Sequence, residues 1–274
     1  MKKTLIFSLI VIFLFMATAI PMSNASSLPK IYINGEAISS SLSGALIGGT
    51  SYLPIKAVAD AFGGTLSWNA STRTAYYKTS GLEITAGAGN LYILANGRAL
   101  YASAGIFIQN GRLMIPSRAV ANCFGGSASW DGASRSVYIT SGNSFIQSGD
   151  SFYNSDNLWW LSCIISSESQ GEPMTGQIAV GNVILNRVKS AEYPNTIYGV
   201  IFDRNYGVQF EPVLNGTIYD SPADSSVIAA KLCLEGVDLS GGSLYFYNPT
   251  IAQSNWIGNN CTYIMTIGTH KFYV

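Results

Sequence analysis

Leu158-Trp159-Trp160-Leu161-Ser162-Cys163-Ile164-Ile165-Ser166-Ser167-Glu168-Ser169-Gln170-Gly171-Glu172-Pro173 reads as one helix and its stop. Leu158, Leu161, Ile164, Ile165 and Glu168 fall at helical spacings, so a helix over Leu158 to Gln170 carries its only acidic side chain on the apolar stripe. Gly171 and Pro173 then end it. Burial disfavours the ionised form of a carboxyl, and the negative end of the helix dipole acts in the same direction. A raised pKa is therefore expected for Glu168, which suits it to donate a proton to a leaving oxygen near neutral pH. The same pattern also fits a glutamate whose stem packs while its head reaches water.

Outward from this helix the chain divides. Lys2 and Lys3 precede an apolar run from Leu5 to Ile20, followed by Pro21 and the small residues Ser23-Asn24-Ala25, so residues 1–25 read as a secretory signal, with an uncleaved N-terminal anchor as the alternative. With 15 basic and 15 acidic side chains in 274 residues the net charge is zero, which offers no electrostatic footprint for nucleic acid or anionic lipid. No partner of either kind, and no membrane contact after signal cleavage, is expected.

Residues 26–140 contain two copies of one unit, about 31–78 and 93–140, offset by 62 residues. Asn34-Gly35 recurs as Asn96-Gly97, Pro54 as Pro116, Phe62-Gly63-Gly64 as Phe124-Gly125-Gly126, and Trp68 as Trp130. Each copy predicts a hairpin turned at Asn-Gly, a helix (Ile55 to Phe62, Pro116 to Phe124) closed by Gly-Gly, and two strands around the Trp. One copy barely encloses a core, so the pair is expected to pack together across a strand-like link, Leu82 to Tyr92. Residues 141–156 lose periodicity and read as a polar linker.

From Asn157 onward a second helix, Thr175 to Lys189, is apolar on most sides yet includes Asn182 and Asn186, which would brace backbone or contact a ligand. A turn or short helix at Pro194 to Phe202 follows, then Gln209 to Leu214 and Thr217 to Tyr219 about a hairpin signal at Asn215-Gly216. A third helix, Val227 to Leu234, and strands Leu244 to Tyr247 and Tyr263 to Ile267 complete the pattern.

Cys123, Cys163, Cys233 and Cys261 show no framework spacing; Cys163 and Cys233, on two apolar helices, are either partners or small buried hydrophobes, the latter preferred. The single histidine, His270, is too few for a zinc or copper site. No metal and no cofactor are expected. A thiol–imidazole device from Cys163 and His270 is disfavoured by the apolar surroundings of the cysteine.

Residues 31 to 140 resemble the copper amine oxidase N-terminal-like module, through Leu53-Pro54-Ile55-Lys56-Ala57-Val58-Ala59, Phe62-Gly63-Gly64 and Trp68-Asn69 and their counterparts Ile115 to Val120, Phe124 to Gly126 and Trp130-Asp131. The resemblance implies a wall-attaching or spacing stalk. Residues 157–274 resemble the SleB-type cell wall hydrolases, the spore cortex-lytic enzyme family. The shared motifs are Glu168 to Pro173, Gly176 to Val180, Val183 to Val188, Tyr193 to Thr196, Gln209-Phe210, Gly242 to Pro249 and Thr266 to His270.

That likeness implies an α+β protein: a pair of small α+β repeats, then a mainly helical lysozyme-like catalytic domain with a small β-sheet. It implies cleavage of peptidoglycan between N-acetylmuramic acid and N-acetylglucosamine by a lytic transglycosylase mechanism. Glu168 becomes the acid/base, in the cell wall or spore cortex of a Gram-positive bacterium. Hydrolysis of the same bond would need a second carboxylate, nominally Glu172 or Glu211, and a non-catalytic wall-binding protein is the reading from another class. Gln209, Phe210, Tyr245, Tyr247, Trp256, Tyr219 and Asn186 are the candidate substrate contacts, the aromatics because flat apolar faces suit pyranose rings. The Tyr245 to Asn248 run equally fits a strand with an aromatic core.

Overall fold

The structure, a computed structural model, describes residues 28–205, 207–252 and 254–274; the secretory signal expected at residues 1–25 lies outside them. In the first copy, β1 (Lys30–Ile33) and β2 (Glu36–Ala37) form a hairpin, and β3 (Ala45–Ile47) and β4 (Thr50–Pro54) form another. Helix α1 (Ile55–Phe62) follows, then β5 (Thr65–Asn69) and β6 (Thr74–Thr79). Strand β7 (Leu82–Gly87) leads into the second copy. There β8 (Tyr92–Ala95), β9 (Arg98–Tyr101), β10 (Phe107–Gln109), β11 (Arg112–Pro116), α2 (Ser117–Cys123), β12 (Ser127–Asp131) and β13 (Ser136–Thr140) repeat the order.

The copies are interlaced. The opening hairpin of copy one adds to the closing hairpin of copy two, in the sheet β12-β13-β1-β2, with β1 and β13 parallel. The opening hairpin of copy two joins the closing hairpin of copy one through β7, in the sheet β5-β6-β7-β8-β9. A third sheet, β10-β11-β4-β3, sets β4 against β11, with Leu53 opposite Ile115. The expected packing across the link is thus an exchange of strands, and the core is common to both copies. Phe62 and Phe124, equivalent by the repeat, stack on each other with centroids 3.7 Å apart.

Asn34-Gly35 and Asn96-Gly97 turn their hairpins with positive φ at both positions, as a type I′ turn requires. The second glycine after each helix has a different purpose. A Cβ on Gly64 would lie 2.6 Å from the carbonyl oxygen of Lys78, and one on Gly126 would lie 1.7 Å from that of Thr140. These contacts are equivalent by the repeat, and they let the closing hairpin run directly past the helix end.

The segment at 141–156, expected to be a polar linker, lies against the second copy. Gly149 donates its N–H to Asn96 O, Ile146 is buried and donates to Cys123 O, and α3 (Gly149–Phe152) stacks Phe152 on the Arg98 guanidinium. Backbone hydrogen bonds, which periodicity does not register, account for the docking.

Helix α4 (Ser155–Ser169) starts where the Asn154 side chain accepts from the Asn157 N–H. Helix α5 (Met174–Lys189) is central: it packs on α4 and α8 (Asp224–Leu234), and it presents Ala179, Val180 and Val183 to Phe272 of the C-terminal sheet. The short helices α6 (Ile197–Ile201) and α7 (Glu211–Asn215) precede α8, and α9 (Trp256–Asn260) follows it. The sheet is β14-β16-β15, with β14 (Tyr245–Tyr247), β15 (Tyr263–Ile267) and β16 (His270–Tyr273) antiparallel.

Two expectations change. Asn215-Gly216 is not a hairpin turn: Gly216, at φ +85°, caps α7, and a 3-10 turn over Thr217–Tyr219 follows. Pro212 in the first turn favours that helix. Strand β16, unmarked in the sequence reading, forms the middle of its sheet. All four cysteines are free thiols, with Cys163 and Cys233 buried beside the carbonyls of Asp220 and Ile178.

Because each copy completes the other's sheets, residues 28–146 are expected to unfold in one cooperative transition, while 28–80 or 93–146 alone stay unfolded. Far-ultraviolet circular dichroism under urea checks this; a folded single copy would contradict the exchange.

Candidate active site

The last turn of α4 carries the run Ser166-Ser167-Glu168-Ser169, and its three hydroxyls are all engaged. Ser167 donates to Cys163 O and Thr217 O, Ser169 donates to Ile165 O, and Ser166 accepts from the Ala223 N–H at the start of α8. Glu168 is left half-buried, with no hydrogen bond to any described residue. Its pKa is pushed up to about 7, first by desolvation and second by the neighbouring Glu211 carboxylate. The direction and its first cause match the sequence reading; the second cause, a charge from α7, was not part of it.

Glu168 opens into a cleft of about 930 Å³ between α4, the 208–217 segment and the β14 strand with the loop that follows it. Gln209, Phe210, Tyr245, Tyr247 and Trp256 also line it, and Trp256 is exposed. Two candidates stand elsewhere. Asn186 donates to Ser240 Oγ at 2.9 Å and to Ser243 O at 3.1 Å, so it braces the 240–243 turn. Tyr219, which is not in the cleft lining, joins Trp160 and Phe202 in an aromatic cluster. Neither lines the cleft because each is held by contacts from segments distant in sequence.

Glu172 is fully occupied. It accepts from the Thr269 N–H at 2.9 Å and from the Thr269 hydroxyl, and lies 3.6 Å from His270 Nδ1. Burial alone would raise its pKa, but these Thr269 bonds and the His270 charge outweigh it and hold the carboxyl below its ordinary value. Glu172 thereby fastens the end of α4 to the β15–β16 turn. A Cβ on Gly268 would come within 1.7 Å of its carboxylate. His270 is buried near Phe246, and burial lowers its pKa against the opposing pull of Glu172.

Sequence reasoning passed over Arg187. The residue is largely buried and lines the cleft, its Nε donates to Leu244 O at 2.7 Å, and its guanidinium lies 4.9 Å from the Tyr193 ring centre, 5.2 Å from Phe210 and 5.4 Å from Tyr245. Its Nη1 has no hydrogen-bond partner among the described residues. The available signal was an arginine in a helix that is apolar on most sides, since an arginine is rarely buried unpaired.

Residues 171–273 match the family described as Cell Wall Hydrolase, and residues 32–139 match the family described as Copper amine oxidase N-terminal domain. The C-terminal part of the chain is a SleB-type cell wall hydrolase domain. Glu168 lies just before the matched span of this hydrolase domain. A spore cortex-lytic enzyme of Bacillus cereus is 40% identical over 120 residues, covering 44% of this chain and 45% of that protein. The spore cortex-lytic enzyme of Bacillus subtilis is 36% identical over 120 residues, covering 44% and 38%. The catalytic domain of the germination-specific lytic transglycosylase SleB from Bacillus anthracis is 39% identical, covers 44% of this chain and 97% of that one, and has a TM-score of 0.41. The chain spans less than half the length of the curated relatives it matches. The N-terminal module's name refers to copper, but the residues do not fit that metal: the repeats contain no histidine, and their one cysteine is buried.

A Glu168 pKa near 7 has a stability consequence. Raised above its ordinary 4.5, this carboxyl costs nothing below about pH 4.5, and stability declines as pH rises to about 7. Glu168→Gln is expected to unfold like the parent at pH 4 and to be more stable by about 1–3 kcal/mol at pH 8. Urea titrations at the two pH values test this; equal stability at pH 8 would mean an ordinary carboxyl. Glu211→Gln removes a like charge, so the Glu168 midpoint, followed by carbon-13 NMR, should move down.

Proposed function

We propose that the hydrolase domain cleaves the peptidoglycan glycan strand between N-acetylmuramic acid and N-acetylglucosamine as a lytic transglycosylase, with Glu168 as the single acid/base. The observation that carries this reading is the Glu168 carboxyl itself: half-buried, without a hydrogen-bond donor, with a pKa near 7, and on the wall of a long aromatic cleft. Protonated Glu168 gives its proton to the bridging oxygen as the C1–O bond breaks. The resulting carboxylate takes the proton of the muramyl 6-hydroxyl, whose oxygen closes on C1 to form the 1,6-anhydro ring. No water and no cofactor enter.

Tyr245, Tyr247 and Trp256 supply flat faces for sugar rings, Gln209 supplies an amide for hydroxyl or acetamide groups, and Phe210 supports the floor over Arg187. The names of the relatives support peptidoglycan of cell wall or spore cortex as the substrate. Residues 1–25 would export the protein to the wall of a Gram-positive cell. The repeats, 26–140, serve as a stalk joined to the catalytic domain, 157–274, through residues 141–156.

One observation favours a second reading. Glu211 lines the same cleft and raises the Glu168 pKa, which supports a two-carboxylate hydrolysis in which it assists a water. Glu172, committed to Thr269, is not.

Purified sacculi distinguish these readings. Glu168→Gln should clear them about a hundred- to ten-thousandfold more slowly than the parent, as loss of a general acid predicts; equal clearing would leave only a wall-binding protein. Mass spectrometry of the products should show anhydro-muramic ends, whereas reducing muramic ends alone, lost in Glu211→Gln, would establish hydrolysis. The kcat/KM of the parent should fall tenfold per pH unit above about 7, where Glu168 loses its proton.

A further inference from the structure

The repeat provides an internal comparison. In copy one, Lys56 on α1 forms an ion pair with Asp60 one turn later. The equivalent residues on α2, offset by 62, are Arg118 and Asn122. The cation is retained and its acid has become a neutral amide. Arg118 is exposed and makes no ion pair or hydrogen bond with any described residue.

Arg118 and Asn122 line a cavity of about 460 Å³ where the second copy meets the hydrolase domain. Trp130 and Tyr101 supply flat faces, Ser103 and Ser129 hydroxyls, and Glu235 with Val237 the wall from the hydrolase domain. Glu235 does not neutralise Arg118. Its carboxylate takes Arg98 Nε at 2.8 Å and Nη2 at 2.6 Å, and the Tyr153 hydroxyl at 2.7 Å. Arg118 is the only cation in this lining, and a guanidinium offers a fork matched to one carboxylate.

We propose that this cavity binds a stem-peptide carboxylate of peptidoglycan through Arg118, with Trp130 and Tyr101 against the adjoining sugar or alkyl portion. The site would hold the wall past the end of α8, opposite the end that meets Ser166 beside Glu168, and it rests on the reading of peptidoglycan as the substrate. A single cation suits a carboxylate better than a phosphate polymer, which gains its affinity from several cations.

The test uses the full chain carrying Glu168→Gln, so that it binds without cutting, and sacculi stripped of phosphate polymers by acid. Arg118→Ala should weaken co-sedimentation about tenfold. Asn122→Asp, which restores the acid of copy one and leaves Arg118 in place, should do nearly the same; Lys56→Ala should change nothing. The parent should bind glycan strands freed of stem peptides no better than Arg118→Ala binds whole sacculi. Unchanged binding by both Arg118→Ala and Asn122→Asp, or equal parent binding to peptide-free strands, overturns the proposal. Binding lost on phosphate removal instead of peptide removal also overturns it. Cleavage by the chain with Glu168 intact is scored separately. Arg118-dependent binding without cleavage would sink the catalytic reading and leave this site, and cleavage with Arg118-independent binding would do the reverse.

Discussion

A carboxyl taken out of bulk water without a donor to replace that water is costly in its charged form, and the hydrolase domain is arranged to hold one in that condition. The serine hydroxyls of the α4 terminus and the next carboxylate are engaged elsewhere: the hydroxyls with carbonyls of their own helix and of Thr217, or with the Ala223 amide, and Glu172 with Thr269. No hydrogen bond from a described residue lowers the Glu168 pKa. The one charged neighbour that acts on it, Glu211, raises it further. The chemistry available to the cleft follows from that imbalance.

Holding this geometry is the work of α5 and of the Glu172 clasp. Helix α5 fills the space between α4, α8 and the C-terminal sheet, and its Asn182 exchanges hydrogen bonds with Val237 O and the Leu239 N–H, so the loop after α8 is fixed to it. Glu172 joins the end of α4 to the β15–β16 turn, which sets the Glu168 wall of the cleft against the aromatic strand β14. Arg187 adds a buried cation under three rings, where packing and charge act together.

The N-terminal repeats are more than a tether. Their second copy packs Ala99, Tyr92 and Leu94 into the same hydrophobic cluster as α4 and α8, and the Arg98–Glu235 pair with Tyr153 lies within that contact. A pair this well bonded fixes orientation, since both oxygens of Glu235 are taken. Repeats and hydrolase domain therefore meet through a specific surface, and the 141–156 segment reinforces it instead of separating them.

Local pattern made several things readable along the chain: the helix that carries Glu168, the central helix after it, the 62-residue repeat and its Asn-Gly turns, because period, capping and turn chemistry act over a few residues. The raised pKa of Glu168 was legible in direction, since an acid on an apolar stripe is disfavoured when charged. Contacts between residues far apart in sequence were not. The exchange of hairpins between copies, the docking of 141–156, the removal of Tyr219 and Asn186 from the cleft, the commitment of Glu172 to Thr269 and the approach of Glu211 to Glu168 all rest on such pairings. Sequence thus determined the main helices, the repeat with its turns, and which carboxyl is out of place on its helix. Tertiary structure decided what surrounds that carboxyl, because desolvation and Coulomb interaction depend on distance through space and not along the chain.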